Sequence, residues 1–212
     1  MESSAGDRLN SLLAEAGAGP LDEAISSRFE TYLSLFIRWN SKTNLSSIRE
    51  PNAILARHFV ESIVCARTLP SRISTLLDFG SGGGLPGIPI ALCRPEITVT
   101  LAESQGKKAA FLQEAVRTLG ISARVFVGRA ETLTERFDCV TLRAVDKMAD
   151  AVRTAVRLVA AGGWLALMTT RDDTNKFQMV AGNEFRWAEG FPLPGGSERI
   201  LVIGQKAISL PS

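Results

Sequence analysis

An α/β fold is what this sequence predicts: a mainly parallel, doubly wound sheet over residues 73–212, with a helical extension, residues 1–72, packed against it. Three observations carry that expectation. From residue 75 onward, short apolar runs of strand length mostly alternate with longer stretches of helical periodicity, the rhythm of βαβ units. Before residue 72 the apolar spacing is helical. Between the first strand and its helix stands LLDFGSGGGLPGIPIAL, residues 76–92, where Gly80, Gly82, Gly83, Gly84 and Gly87 crowd the place at which such sheets take a ligand.

The elements follow in order. Residues 7–16 read as a short helix, and residues 21–40 as a longer one with Ile25, Phe29, Tyr32, Leu33 and Phe36 on one face. Residues 51–67 repeat the pattern with Ile54, Leu55, Phe59, Ser62 and Ile63, behind a proline suited to a first turn. After the break at LPSR come a strand at 75–79, a helix from Pro86 to 93, a strand at 98–102, and a helix at 105–119 closed by Gly120. Strands at 123–128 and 137–143, a helix at 147–160 ended by a Gly-Gly pair, and a strand at 164–169 complete the alternation. A weaker helix at 173–180 and strands at 185–189 and 199–205, separated by a PLPGG turn, finish the chain.

Composition bounds the function. With 45% apolar residues the chain can bury a full core, and no run approaches the roughly 20 apolar residues of a membrane span. A polar, acidic start unlike a signal peptide makes the cytoplasm the expected compartment. Cys65, Cys93 and Cys139 are odd in number and lie in apolar runs, so neither disulfides nor a zinc site is expected, and a single histidine, His58, nearly excludes histidine-rich metal centres. Net charge is only +2, yet Arg38, Lys42, Arg49, Arg57, Arg67 and Arg72 cluster before the glycine loop and Lys107, Lys108, Arg117, Arg124 and Arg129 after it. Such clusters are either solvated helix faces or the footprint of a phosphate backbone.

Three ligands compete for the loop. A nucleoside triphosphate needs a lysine followed by serine or threonine to close the loop, and there is none. A dinucleotide fits Gly82, Gly84 and Gly87 as G-x-G-x-x-G with Glu103 about 20 residues on, but leaves Asp78 at the strand's end, where it would repel a pyrophosphate. The third frame, Asp78-x-Gly80-x-Gly82-x-Gly84, resembles the first motif of the Rossmann-like class I S-adenosylmethionine-dependent methyltransferases. There an acid suits a cofactor bearing a sulfonium and an ammonium, and Glu103 can accept both ribose hydroxyls.

The resemblance narrows further along the chain. DFGSGGGLPGIPIAL, WNSKTNLSSIREPNAILARHFVES, ESQGKKAAFLQE, FDCVTLRAV and SERILVIGQK together resemble the bacterial 16S ribosomal RNA guanine-N7 methyltransferases, the RsmG (formerly GidB) family. Membership would imply methyl transfer from S-adenosyl-L-methionine to a guanine of 16S rRNA, with the small ribosomal subunit or its assembly intermediate as partner, no metal, and a monomer. The family pattern puts cofactor contacts on Gly80, Leu85, Ala130, Glu131 and Arg143, to which the general reading adds Asp78, Gly82 and Glu103. Arg143 also stands as the candidate catalytic residue, donating to the base or to a phosphate. Asn44, Arg49, Arg57, His58 and Lys107 are the RNA candidates, followed by Lys42 and Lys108. His58, beside Phe59 on a helix, is equally open to a structural role, and Trp39 and Phe59 are expected in the core.

This sequence departs from the family at three places. Glu103 replaces an aspartate, Leu142 a serine, and the fifth strand ends LALMTT in place of a lysine and glycine, so the part of that lysine is either absent here or taken by another residue such as Arg171. Guanine N7 already exposes a lone pair, so the implied reaction needs positioning and electrostatics and no general base. Two other readings stay open: a nicotinamide-dependent oxidoreductase using the alternative glycine frame, and an RNA-binding relative without catalysis.

Overall fold

The computed structural model describes residues 3–196 and 198–208. Glu2, one of the N-terminal acids, lies outside the described residues. Helix α1 (Ala5–Glu15) begins earlier than the apolar spacing predicts because Ser4 and Asp7 cap it reciprocally, Asp7 N–H donating to Ser4 Oγ at 3.0 Å and Ser4 N–H to Asp7 Oδ2 at 3.2 Å. Helix α2 (Glu23–Thr43) is capped by Asp22 and runs three residues past its predicted end, stopping at Asn44 in the left-handed region. The expected helix at 51–67 forms as α3 (Pro51–Ile54) and α4 (Glu61–Thr68), joined through a wide π-helical turn, Leu55–Val60. Residues 58–66 are all buried, so this segment is enclosed on every side.

The sheet alternation follows the predicted rhythm. Strands β1 (Thr75–Phe79), β2 (Thr98–Glu103), β3 (Ala123–Val127), β4 (Phe137–Arg143) and β5 (Val159–Thr170) are parallel, with helices α5 (Gly87–Cys93), α6 (Gly106–Leu119) and α7 (Met148–Leu158) between them. Then come α8 (Arg171–Ala181), β6 (Phe185–Trp187), β7 (Phe191–Pro192) and β8 (Arg199–Lys206). The sheet order is β3-β2-β1-β4-β5-β8-β6, with β8 antiparallel to β5 and β7 paired on β8. The chain moves outward from β1 to β3 and returns to β4 on the other side, so the switch point opens between the carboxyl ends of β1 and β4.

The glycine and proline signals at two further boundaries act differently from expectation. The Gly-Gly pair that reads as a helix stop lies inside β5, which starts at Val159. Phe137 pairs with Val159 and Cys139 with Trp164, so Gly162, at φ 75°, belongs to an irregularity of the strand. Pro86 does not enter the first helical turn; it precedes α5 with φ −91° and ψ 2°.

Apolar side chains form a layer on each face of the sheet. On one face α5 and α6 share a continuous core with the N-terminal helices, including Leu9, Phe29, Phe36, Phe59, Ile88 and Phe111. On the other, Val152, Ala155 and Phe177 of α7 and α8 cover Leu77, Val140 and Leu165. Tyr32 stacks on Phe59 with ring centres 4.7 Å apart, which locks α2 against the 51–68 segment. No helix among the described residues is long and apolar enough to cross a membrane.

Candidate active site

A cavity of about 560 Å³ opens over the carboxyl ends of β1, β2 and β4, within the range of small-molecule sites. Its floor is the glycine loop. Gly80, Gly82 and Gly84 take positive φ of 70°, 55° and 81°, a path closed to most side chains. Gly87 serves a different need: a Cβ there would lie 2.4 Å from Leu101 and 2.7 Å from the Asp78 carboxylate, so α5 could not pack onto β1 and β2.

The loop's hydrogen bonds decide between the ligand frames. Ser81 N–H donates to Ala102 O at 2.9 Å, Gly84 N–H to Ser81 O at 2.7 Å and Leu85 N–H to the same oxygen at 3.3 Å. Gly82 N–H donates to Glu103 Oε2 at 2.9 Å and Gly87 N–H to Asp78 Oδ2 at 3.3 Å. A phosphate cradle needs a ring of uncommitted N–H groups, and these are already used. The dinucleotide frame is therefore disfavoured, since Gly82, Gly84 and Gly87, its three fingerprint glycines, all have committed N–H groups.

Asp78 plays a part the sequence does not reveal. It is 1% exposed and stands behind the cavity wall, where Thr141 Oγ1 donates to its Oδ1 at 2.9 Å. Burial pushes its carboxyl up to about 6. The acid thus ties the start of α5 to β1 and β4, and does not line the cavity as the motif suggests.

Gly80, Gly82, Leu85, Glu103, Ala130, Glu131 and Arg143, the remaining candidates for cofactor contact, all line this one cavity. Glu103 accepts from Gln105 N–H at 2.7 Å through Oε1 and from Gly82 N–H through Oε2, leaving lone pairs on both oxygens. A short 3₁₀ turn, Ala130–Thr132, carries Ala130 and Glu131 to the far end of the wall.

The nearer end is built from the N-terminal extension. Arg143 Nη2 shares its two hydrogens among Arg57 O at 3.0 Å, His58 Nδ1 at 2.9 Å and Glu61 Oε2 at 3.2 Å. Glu61 is fully buried and also holds Arg199, whose Nη2 donates to Oε2 at 2.8 Å and whose Nε lies 2.8 Å from Oε1, while Arg57 Nε is 3.4 Å from Oε1. Three guanidinium groups therefore share one carboxylate, which leaves an excess of two positive charges at the open side.

Burial, reinforced by Arg143, drives the His58 pKa down to about 3. The ring stays neutral and lines the cavity, joining the structural and site readings of this residue.

Of the other RNA candidates, Arg57 and Lys108 line the cavity, whereas Lys42, Asn44, Arg49 and Lys107 stand exposed outside it. Several cluster cations are tied down within the protein: Arg38 to Glu114, Arg67 to the carbonyls of Gly19 and Pro20, and Arg124 to Glu135. Phe59 is fully buried, and Trp39 is half-buried with its indole N–H donating to Glu114 Oε2 at 2.9 Å. Arg171 opens α8 and does not reach the cavity wall.

Sequence reasoning missed Glu61, Arg199 and Ser46. The only local sign of Glu61 is a lone acid inside the apolar run HFVESIVCA.

The sheet order, the loop at its switch point and the acid ending β2 define a class I S-adenosylmethionine-dependent methyltransferase fold. A solved structure described as a predicted O-methyltransferase from Agrobacterium tumefaciens superposes with a TM-score of 0.58 at 21% identity, over 69% of this chain and 80% of that one. The particular family follows from sequence. The GidB family model, rRNA small subunit methyltransferase G, matches residues 25–184, and the chain belongs to that family. Ribosomal RNA small subunit methyltransferase G of Stenotrophomonas maltophilia is 41% identical over 187 residues, covering 86% of this chain and 87% of the relative. The Xanthomonas euvesicatoria protein of the same name is 42% identical over 197 residues, covering 89% and 91%.

Proposed function

We propose that this protein methylates N7 of a guanine in small-subunit ribosomal RNA with S-adenosyl-L-methionine as donor, acting as a cytoplasmic monomer. The observation that carries the cofactor assignment is the loop in which the N–H groups of Ser81, Gly82, Gly84, Leu85 and Gly87 are internally bonded, beside a Glu103 carboxylate with lone pairs to spare. Such a wall suits a ribose and a cation and suits a pyrophosphate poorly.

Ala130 and Glu131 would border the adenine, Glu103 would accept the ribose hydroxyls, and Gly80, Gly82 and Leu85 would pack against the amino-acid portion. When bound, the cofactor supplies an electrophilic methyl group on a sulfonium. Arg143 would meet a carboxylate or the incoming nucleotide, and the excess charge around Glu61 would draw an anionic RNA backbone towards the cavity. Arg57, Lys108 and the exposed Lys42, Asn44, Arg49 and Lys107 extend that surface.

His58 cannot serve as a base. Its Nδ1 faces a guanidinium donor and its Nε2 faces Ser46 Oγ at 2.7 Å, so neither nitrogen offers a lone pair to substrate. A reaction at guanine N7 does not ask for one, because that nitrogen attacks without prior deprotonation. The test is mass spectrometry of small-subunit RNA incubated with purified protein and S-adenosylmethionine: 7-methylguanosine is expected at one position, and its absence overturns the proposal.

A further inference from the structure

Donor and acceptor counting around His58 fixes the direction of a hydroxyl that faces the cavity. Arg143 Nη2 carries only hydrogens, so His58 Nδ1, 2.9 Å away, must present its lone pair. In the neutral ring the proton is then on Nε2, which donates to Ser46 Oγ at 2.7 Å. Ile48 N–H donates to the same oxygen at 3.0 Å. Both lone pairs of Ser46 Oγ are therefore occupied and its hydrogen is left to donate. None of the described residues accepts it, and Ser46 lines the cavity. The backbone is held as firmly: Asn40, 3% exposed, accepts from Ser46 N–H at 2.9 Å through Oδ1 and donates through Nδ2 to Ile48 O at 3.0 Å.

The place of this donor says what it meets. The strand ends supply one side of the cavity in the order β3, β2, β1, β4, which accommodates the extended cofactor from adenine to amino acid. Ser46 and His58 come from the extension and close the remaining side, where the methyl acceptor must enter. On the Hoogsteen edge of guanine, N7 and the O6 acceptor are neighbours, whereas adenine presents an amino donor at that place.

We infer that Ser46 is a specificity-determining residue whose hydroxyl, oriented by Arg143 through His58, donates to guanine O6 and places N7 for methyl transfer. This rests on the guanine-N7 reading above. A donor locked in one sense accepts guanine and opposes adenine, whereas a hydroxyl free to rotate would serve both.

The test compares substrate RNA carrying guanine or 2-aminopurine at the methylated position; 2-aminopurine keeps N7 and lacks O6. Ser46→Ala is expected to lower kcat/KM on guanine about ten-fold, the order of one neutral hydrogen bond, and to leave the 2-aminopurine rate unchanged. Ser46→Thr, which keeps the hydroxyl, should retain the preference, and S-adenosylmethionine affinity measured by calorimetry should be the same in all three proteins. An equal fall on both bases, no fall, or a loss accounted for by weaker cofactor binding overturns the inference while the functional reading stands. A parent protein that forms no 7-methylguanosine overturns both.

Discussion

Replacing Glu61 by Gln tests whether one buried carboxylate organises the open side of the cavity. The change keeps size and one acceptor but removes the charge facing Arg57 at 3.4 Å, Arg143 at 3.2 Å and Arg199 at 2.8 Å. At an effective dielectric of about 20, each contact near 3 Å carries roughly 5 kcal/mol of gross attraction. Desolvation of the ions offsets most of that in the folded parent, but loss of the carboxylate leaves three guanidinium groups repelling one another, and broken buried pairs typically lose about 3–5 kcal/mol. For a domain of this size that corresponds to a melting temperature roughly 10 °C lower. Thermal unfolding followed by circular dichroism at neutral pH measures it directly. Adding Arg199→Gln to Glu61→Gln should recover at least about 1 kcal/mol by thinning the uncompensated charge. A Glu61→Gln protein that melts within about 1 °C of the parent would refute the assignment of Glu61 as the organiser.

Other expectations concern the loop. Tyr32 O–H donates to Gly83 O at 2.5 Å in a buried setting, so Tyr32→Phe should cost about 1–3 kcal/mol in urea unfolding; an unchanged midpoint would show that the carbonyl finds another donor. Asp78 titrates near 6 in the fold against 3.8 as its ordinary value, so between those limits the native state binds more protons and stability falls as pH rises. Asp78→Asn should abolish that component, about 3 kcal/mol across the window, and a parent-like slope would contradict it. Glu103→Gln should weaken S-adenosylmethionine binding about 10- to 100-fold by calorimetry, and full affinity would remove Glu103 from the ribose site.

The sheet was legible because its strands are buried runs bounded by Gly, Pro and charge: the observed bounds of β1 and β4 coincide with the predicted ones. The loop and its neighbours were legible because chemistry and chain order coincide there. The arginine cluster was not, since it unites residues 57, 61, 143 and 199, brought together only by the packing of the extension on the sheet. The π-helical turn at Leu55–Val60 was equally hidden, because a spacing argument at 3.6 residues per turn has no place for a wider one. Asp78 is the instructive case: its position in the motif pointed to the right ligand class, yet its carboxylate holds the first backbone N–H of the helix after the loop and the Thr141 hydroxyl of β4.

The bracing of the glycine loop also settles when its freedom is lost. Glycine-rich chain is the most conformationally permissive there is, and a loop ordered only by its ligand would charge that entropy against binding. Here Tyr32 from α2, Asp78 from β1 and Glu103 from β2 grip Gly83, Gly87 and Gly82. The ordering is completed when the protein folds, so the cofactor enters a groove already in its final shape, and damage to any of the three grips should emerge as a less favourable binding entropy in a protein that still folds.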